Sequence, residues 1–297
     1  MNTALTANRF SLRDAIMVFK PRIAVFIMLS ATGGMAVAQG PMPDFWRLAV
    51  LALAVFLAAG SAGAFNQWVE RDLDARMSRT RKRPFVTGQF TAGPLWLTVI
   101  VGLLAVSVLM AGLATNWWAA LYTFLGAFTY GVIYTMWLKR RSWTNIIIGG
   151  LAGSFAVLAG AAAINPVMGI EAMIITVVLF LWTPPHFWSL AMVASDDYAK
   201  AGVPMLPVVA GEKLCAQVIL AHTFALSALS IVPFFYGMGW VYLAGAAIGG
   251  GIFTWRSVKL VRYPSRTNAL KNFFASLLQL CLLLAAAMAD RAIGVIG

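Results

Sequence analysis

Residues 47–84 read RLAVLALAVFLAAGSAGAFNQWVERDLDARMSRTRKRP, and the change of character at Asn66 decides what kind of chain this is. After Arg47 the residues are apolar or small until Asn66, and the run can be carried helically to Val69. About 20 such residues cross the hydrocarbon of a bilayer. Beyond the run come three carboxylates within five residues (Glu70, Asp72, Asp74), then basic residues as far as Arg83 and a helix-stopping Pro84. A membrane helix therefore delivers a dense block of charge to one surface.

The rest of the chain follows the same rule. Of its 297 residues 61% are hydrophobic and 11% charged, against about 45–50% and about 25% in a soluble domain, and the mean hydropathy is +0.82. A soluble enzyme, a disordered chain and a disulfide scaffold are excluded. Nine apolar runs are long enough to span: 23–39, 47–69, 93–113, 117–137, 145–165, 170–190, 214–236, 240–258 and 272–292. The first contains Gly33-Gly34, and the sixth runs into Pro184-Pro185, where a broken helix is expected. The reading is an all-α integral membrane bundle, one domain over 1–297 with a short cytoplasmic tail at about 1–19. The net charge of +12 would suggest nucleic acid in a soluble protein. Here the cations lie between apolar runs, so they face the lipid surface and nucleic acid is excluded. Assigned to loops, twenty Lys and Arg fall on the N-terminal side of the membrane and two, Arg47 and Arg291, on the other. The positive-inside rule then puts the N-terminus in the cytoplasm and the C-terminus outside. Cys215 and Cys281 both lie in apolar runs and read as small core residues.

The acids are concentrated. Five of the ten lie in two places, 70–74 and 196–197, both on the cytoplasmic side. Steps of four residues drift by about 40° on a helix, so Asn66, Glu70 and Asp74 form one stripe of oxygen atoms while Asp72 points elsewhere. Hard oxygen ligands beside a basic run suit Mg²⁺ and a phosphate group. The bland alternative is a solvated helix end, with Asp72 and Arg76 paired and the basic run on anionic lipid. It leaves Asn66, set among apolar neighbours, in need of partners. The second group, Ser195-Asp196-Asp197-Tyr198, reads alone as a turn. If the two groups meet, they make a diphosphate site at the mouth of a bundle. Of the two histidines, His186 follows the proline pair, and His222 lies within the seventh run. Either can be an ordinary hydrogen-bonded interior residue.

The motif Asn66-x3-Glu70-x3-Asp74, with Arg79-Thr80-x2-Arg83-Pro84 after it, resembles the first acidic motif of the UbiA superfamily of intramembrane prenyltransferases, Glu70 being a conservative departure. Further blocks resemble the branch of that superfamily that farnesylates protohaem IX. They are Tyr134-Thr-Met-Trp-Leu-Lys139-Arg140, Asn145-Ile-Ile-Ile-Gly149-Gly150, Trp182-Thr-Pro-Pro-His186-Phe-Trp188 and Asp197-Tyr198-x2-Ala201-Gly202-x-Pro204-Met-Leu-Pro207. Two departures stand out. Val193 and Ala194 replace basic residues usual before the Asp-Tyr pair, and Gly153-Ser-Phe155 replaces a Pro-Pro after Gly150.

The resemblance implies transfer of farnesyl from farnesyl diphosphate to a vinyl group of protohaem IX, giving haem O and diphosphate with Mg²⁺ assisting. It implies Asn66, Glu70, Asp74 and Asp197 as metal-side residues, with Tyr198 orienting the Asp197 loop. Arg22, Arg79, Arg83, Lys139 and Arg140 would hold diphosphate, and His186 would be a haem-iron ligand or polar contact. A bacterial inner membrane with the site on its cytoplasmic side, and partners in haem A synthesis or terminal-oxidase assembly, belong to the same expectation. Competing readings are another prenyl acceptor (a quinone precursor or a chlorin) and a membrane transporter.

Overall fold

The apolar runs become helices because a backbone in lipid must satisfy its own hydrogen bonds. The computed structural model describes residues 11–296, so Arg9 of the tail lies outside it. In chain order the helices are α1 (Leu12–Val18), α2 (Pro21–Val37), α3 (Phe45–Val69), α4 (Arg71–Arg76), α5 (Pro84–Thr87), α6 (Pro94–Ala114) and α7 (Trp117–Phe128). A π-helical segment, Thr129–Leu138, continues α7. Then come α8 (Asn145–Gly149), α9 (Leu151–Ile164), α10 (Ile170–Val193), α11 (Ser195–Lys200) and α12 (Leu206–Leu229). A 3₁₀ turn at Val232–Tyr236, α13 (Trp240–Arg262) and α14 (Arg266–Ile296) complete the described chain.

Among the described residues, seven segments are long and apolar enough to cross a membrane, or eight if α1 and α2, bent by 46°, count as one span. The shortfall from nine lies at 240–258. Those residues form α13, but its glycines and its basic end at Arg256, Lys259 and Arg262 dilute its apolar character. The tail expected at about 1–19 includes α1, whose Leu12, Ile16 and Met17 are exposed, the pattern of a helix lying along a membrane interface.

The bundle has two chemically different ends. Lys20, Arg83, Lys139, Arg140 and Arg266 make their polar contacts at one. At the other, Arg47 pairs with Asp44, Arg291 donates to the Gly40 carbonyl and Gln39 to Glu171. The loop count of basic residues foretold this split.

Gly33-Gly34, the weak point of the first run, is its tightest contact. A Cβ on Gly34 would strike the Val157 carbonyl, and one on Gly160 the Ala31 carbonyl, so α2 and α9 cross with their backbones touching. The expected break at Pro184-Pro185 is not there: α10 runs unbroken from Ile170 to Val193. Prolines remove donors from the helix, and here packing holds the turn. The Trp182 indole donates to the Ser276 carbonyl at 2.9 Å, and the Ser189 hydroxyl to the Pro185 carbonyl at 2.5 Å. Cys215 is buried, whereas Cys281 is exposed on the outside of α14, so one of the two expected core cysteines faces outward.

Candidate active site

Helix α3 ends at Val69, and Glu70 (φ −89°, ψ 18°) joins it to α4. The helical hydrogen bonds nevertheless carry through the joint. The Glu70 N–H donates to the Asn66 carbonyl at 3.0 Å, and the Asp74 N–H to the Glu70 carbonyl at 2.8 Å. The helical phase that sets these three residues in one stripe is therefore kept, and the stripe is buried: Asn66, Glu70 and Asp74 are 2%, 0% and 2% exposed.

Each member of the stripe is held by a cation from a different part of the chain. Lys20 Nζ donates to Asn66 Oδ1 at 2.6 Å, Lys139 Nζ to Glu70 Oε2 at 2.5 Å and Arg83 Nη1 to Asp74 Oδ2 at 2.6 Å. Lys20, which the sequence reading counted but did not place in the site, sits at the α1–α2 bend with φ 51°. A non-glycine residue adopts that left-handed region at a cost of order 1–3 kcal/mol, and such strain gathers at functional sites. Gly60 and Gly63 of α3 lie against Phe19 and Lys20, and Gln67 Nε2 donates to the Val18 carbonyl at 2.9 Å, so α3 clamps the bend. The one sequence signal for this was a lysine immediately before Pro21.

The π-helical segment is the second feature the sequence did not reveal. In an α-helix residues five apart would face about 140° away from each other. Here the Thr135 hydroxyl donates to the Tyr130 carbonyl at 2.8 Å and the Lys139 N–H to the Tyr134 carbonyl at 2.9 Å, both five-residue steps. Thr135 accepts from Asn66 Nδ2 at 3.0 Å, and the Tyr130 hydroxyl accepts from Lys20 Nζ at 3.2 Å. The wider turn thus aims Tyr130, Thr135 and Lys139 at the acid stripe. Such segments recur at functional sites.

The other expected residues are distributed around this centre. Arg140 does not reach the buried stripe; it forms a bidentate pair with Asp72, both contacts at 2.7 Å, at the surface. That bond, outweighing the opposite push of partial burial, holds the Asp72 carboxyl below its ordinary range. Asp72 therefore pairs across the loop with Arg140 and not with Arg76. Asp197 Oδ2 accepts from the Ser78 hydroxyl at 2.6 Å. The Ser78 side chain is the main reason its carboxyl is also lowered, helped by the Ser78 and Arg79 N–H groups. Asp196 pairs with Arg266. Tyr198 is buried in one cluster with Leu73 of α4 and Met77 just after it. Val193 ends α10 and Ala194 leads into α11, so no cation stands there. Arg22 and Arg79 are exposed.

The two acidic loops therefore meet, but through Ser78 and Tyr198. Among the described residues no three His, Cys, Asp or Glu side chains converge as a ready metal cage. The residues still suit a divalent ion. Glu70 Oε1 is buried without a hydrogen-bond partner, a hard anionic oxygen beside the two other oxygen-bearing side chains of its stripe.

His186 is sandwiched between Trp182 and Phe273, with ring centroids 4.2 and 4.6 Å away, and its Nδ1 bonds the Ser276 hydroxyl at 2.7 Å. Only its Nε2 is left to meet a ligand.

Buried oxygen-bearing side chains, each held by a cation, thus gather at one end of the apolar bundle. Comparison with known proteins accords with that geometry. The model of the UbiA prenyltransferase family matches residues 27–278. The chain belongs to the UbiA prenyltransferase family. Two relatives come from Paramagnetospirillum magneticum. Protoheme IX farnesyltransferase 2 is 55% identical over 96% of this chain and 98% of its own length. Protoheme IX farnesyltransferase 1 is 48% identical over 94% and 98%. A UbiA homologue from Archaeoglobus fulgidus, solved bound to DMAPP and Mg²⁺, shares the fold with a TM-score of 0.74 at 18% identity, over 94% of this chain and 99% of that one.

Proposed function

We propose that this UbiA-family member transfers farnesyl from farnesyl diphosphate to protohaem IX, giving haem O. The allylic C–O bond of farnesyl diphosphate breaks and diphosphate leaves. The farnesyl carbon bonds the terminal vinyl carbon, water supplies a hydroxyl to the neighbouring carbon, and a proton is released. The observation that carries this reading is the buried Asn66–Glu70–Asp74 stripe with Lys20, Lys139 and Arg83 each bound to one member. The near full-length relatives named for this reaction supply the acceptor.

Asn66, Glu70 and Asp74, with Asp197 across the loop, are the residues that would hold Mg²⁺; when bound, the ion would offset charge on the leaving diphosphate. Lys139 and Arg83 shift from carboxylate to phosphate oxygens as the anion arrives, and Arg22, Arg79 and Arg140 form the outer ring. Tyr198 positions the Asp197 loop from the buried cluster that it shares with Leu73 and Met77. The apolar bundle keeps water from the carbocation-like farnesyl group, and His186 offers Nε2 as a polar contact to the acceptor. The bundle makes nine crossings, α13 being the ninth, as a single domain. Its N-terminus is cytoplasmic and its C-terminus external, in a bacterial inner membrane with the charged end inside. Its product passes to haem A synthesis or oxidase assembly.

The test is mass analysis of haem extracted from cells expressing the wild-type chain or Glu70→Ala. Haem O in the wild type and none above background in the variant is expected. Equal haem O from both would remove the role of the stripe. Wild-type membranes that prenylate an aromatic quinone precursor and not haem would reassign the acceptor.

A further inference from the structure

A cavity of about 510 Å³ lies at the charged end of the bundle, apart from the acid stripe, among α8, α10 and α12. Its walls include Trp143, Ile147, Trp188, Leu206 and Leu214, and His222 is the one imidazole on them. The volume falls in the range of small-molecule sites, about 300–1,000 Å³, which combine apolar walls with a few placed polar groups. It forms because α12 is kinked at Gly211 (φ 79°, ψ 162°), which sets residues 206–210 off the axis of the helix that follows.

The polar groups have a specific arrangement. His222 Nδ1 lies 2.9 Å from the Val218 carbonyl. A carbonyl accepts but cannot donate, so Nδ1 is the donor, and the neutral ring then has its lone pair on Nε2. Metal-ligating histidines are ordinarily fixed this way, by a hydrogen bond from the other ring nitrogen. Trp188 stands edge-on to the ring, centroids 5.6 Å apart, and its buried indole N–H has no partner. The cations Arg141 and Lys213 lie within two residues of Trp143 and Leu214, against one acid, Glu212. Apolar walls that carry two indole rings and a single imidazole nitrogen fit an iron porphyrin. Trp188 and Leu206 also belong to the packed cluster that contains Leu73 of α4 and the following Met77, so the cavity backs onto the acid loop.

We propose that this cavity is a haem seat in which His222 Nε2 ligates the iron, holding the acceptor beside the prenyl-transfer site. It rests on the haem-prenylating reading and adds to it a capture step that the acid stripe does not provide. His186, with its ring stacked between two aromatics, has a different part.

The experiment is titration of the purified full chain in nanodiscs with ferric protohaem, followed by absorption and electron paramagnetic resonance. The wild type should give the signature of imidazole-ligated iron. His222→Ala should lose that signature, bind haem at least tenfold more weakly and raise KM for haem. Ala210→Phe, which fills the cavity and leaves His222 in place, should weaken binding to a similar degree. Unchanged ligation and affinity in His222→Ala, or in a folded Ala210→Phe, would overturn the proposal. Haem O formation is read in parallel. Wild-type protein that ligates haem through His222 yet makes no haem O keeps the seat and sinks the prenyl-transfer reading. Haem O made by a chain indifferent to His222 does the reverse.

Discussion

Glu70 and Asp197 are both carboxylates at the charged end of the bundle, and both accept short hydrogen bonds, 2.5 Å from Lys139 and 2.6 Å from Ser78. Their surroundings differ. Glu70 is 0% exposed, has a charged partner and keeps one oxygen without any. Asp197 sits near water, fastened to a hydroxyl and to loop N–H groups. Removing two charges from water costs several kcal/mol per ion, of order 20 in the idealised limit, and attraction repays this only in good geometry. A protein keeps such a pair for stability or for use. The orphaned Glu70 oxygen argues for use, because a purely structural pair would be expected to satisfy it. Asp197 ties two loops together at little desolvation cost.

The largest effect should come from splitting the buried pair. Lys139→Met leaves Glu70 charged and alone, and breaking one side of a buried pair typically costs about 3–5 kcal/mol. The thermal midpoint in detergent should fall clearly. Glu70→Gln together with Lys139→Met should recover most of that loss while haem O stays at background. If the double variant is as unstable as Lys139→Met alone, the pair is not the source of the cost. If it makes haem O, Glu70 is not needed for turnover.

This contrast also explains what the sequence could and could not disclose. The helices and the charge asymmetry were legible, because apolar length and loop cations are properties of the chain alone. The stripe was legible because helical phase places Asn66, Glu70 and Asp74 together, even across the joint at Glu70. Which cation meets which oxygen-bearing side chain was not, since the partners are remote in sequence: Lys20 to Asn66, Lys139 to Glu70, Arg140 to Asp72. The π-helical register that aims Tyr130, Thr135 and Lys139 leaves no mark in an apolar run of ordinary composition. Pro184-Pro185 misled for a related reason: a proline pair predicts a break only when neighbours do not hold the turn.

A middle-sized effect is expected at the second loop. Ser78→Ala or Asp197→Asn frees the 77–83 segment, so trypsin should cut at Arg79 and Arg81 several-fold faster, and kcat/KM for farnesyl diphosphate should fall by about tenfold, roughly 1.4 kcal/mol. The pH dependence has a definite sign. The folded carboxyl of Asp197 lies below its ordinary value, so the stabilisation is fully present above the unfolded value and is lost as pH falls through the folded one. Protection from trypsin-like cleavage should therefore be level from about pH 5 to 8 and decline only in stronger acid. A decline centred near pH 6 to 7 would assign the latch to some other group.

The smallest effect should appear at Asp72–Arg140, a bidentate pair at the surface with side chains 51% and 38% exposed. Exposed pairs contribute about 0–1 kcal/mol whatever their appearance, so Asp72→Asn should leave the thermal midpoint within a degree or two. Function separates the partners. Arg140 reads as part of the outer phosphate ring, so Arg140→Ala should raise KM for farnesyl diphosphate several-fold. Asp72→Asn frees the guanidinium and should hold that KM level or lower it. Equal losses from both substitutions would mean that the pair acts as a structural tie. A large loss from Asp72→Asn with none from Arg140→Ala would move Asp72 into the metal-holding set, against its helical phase.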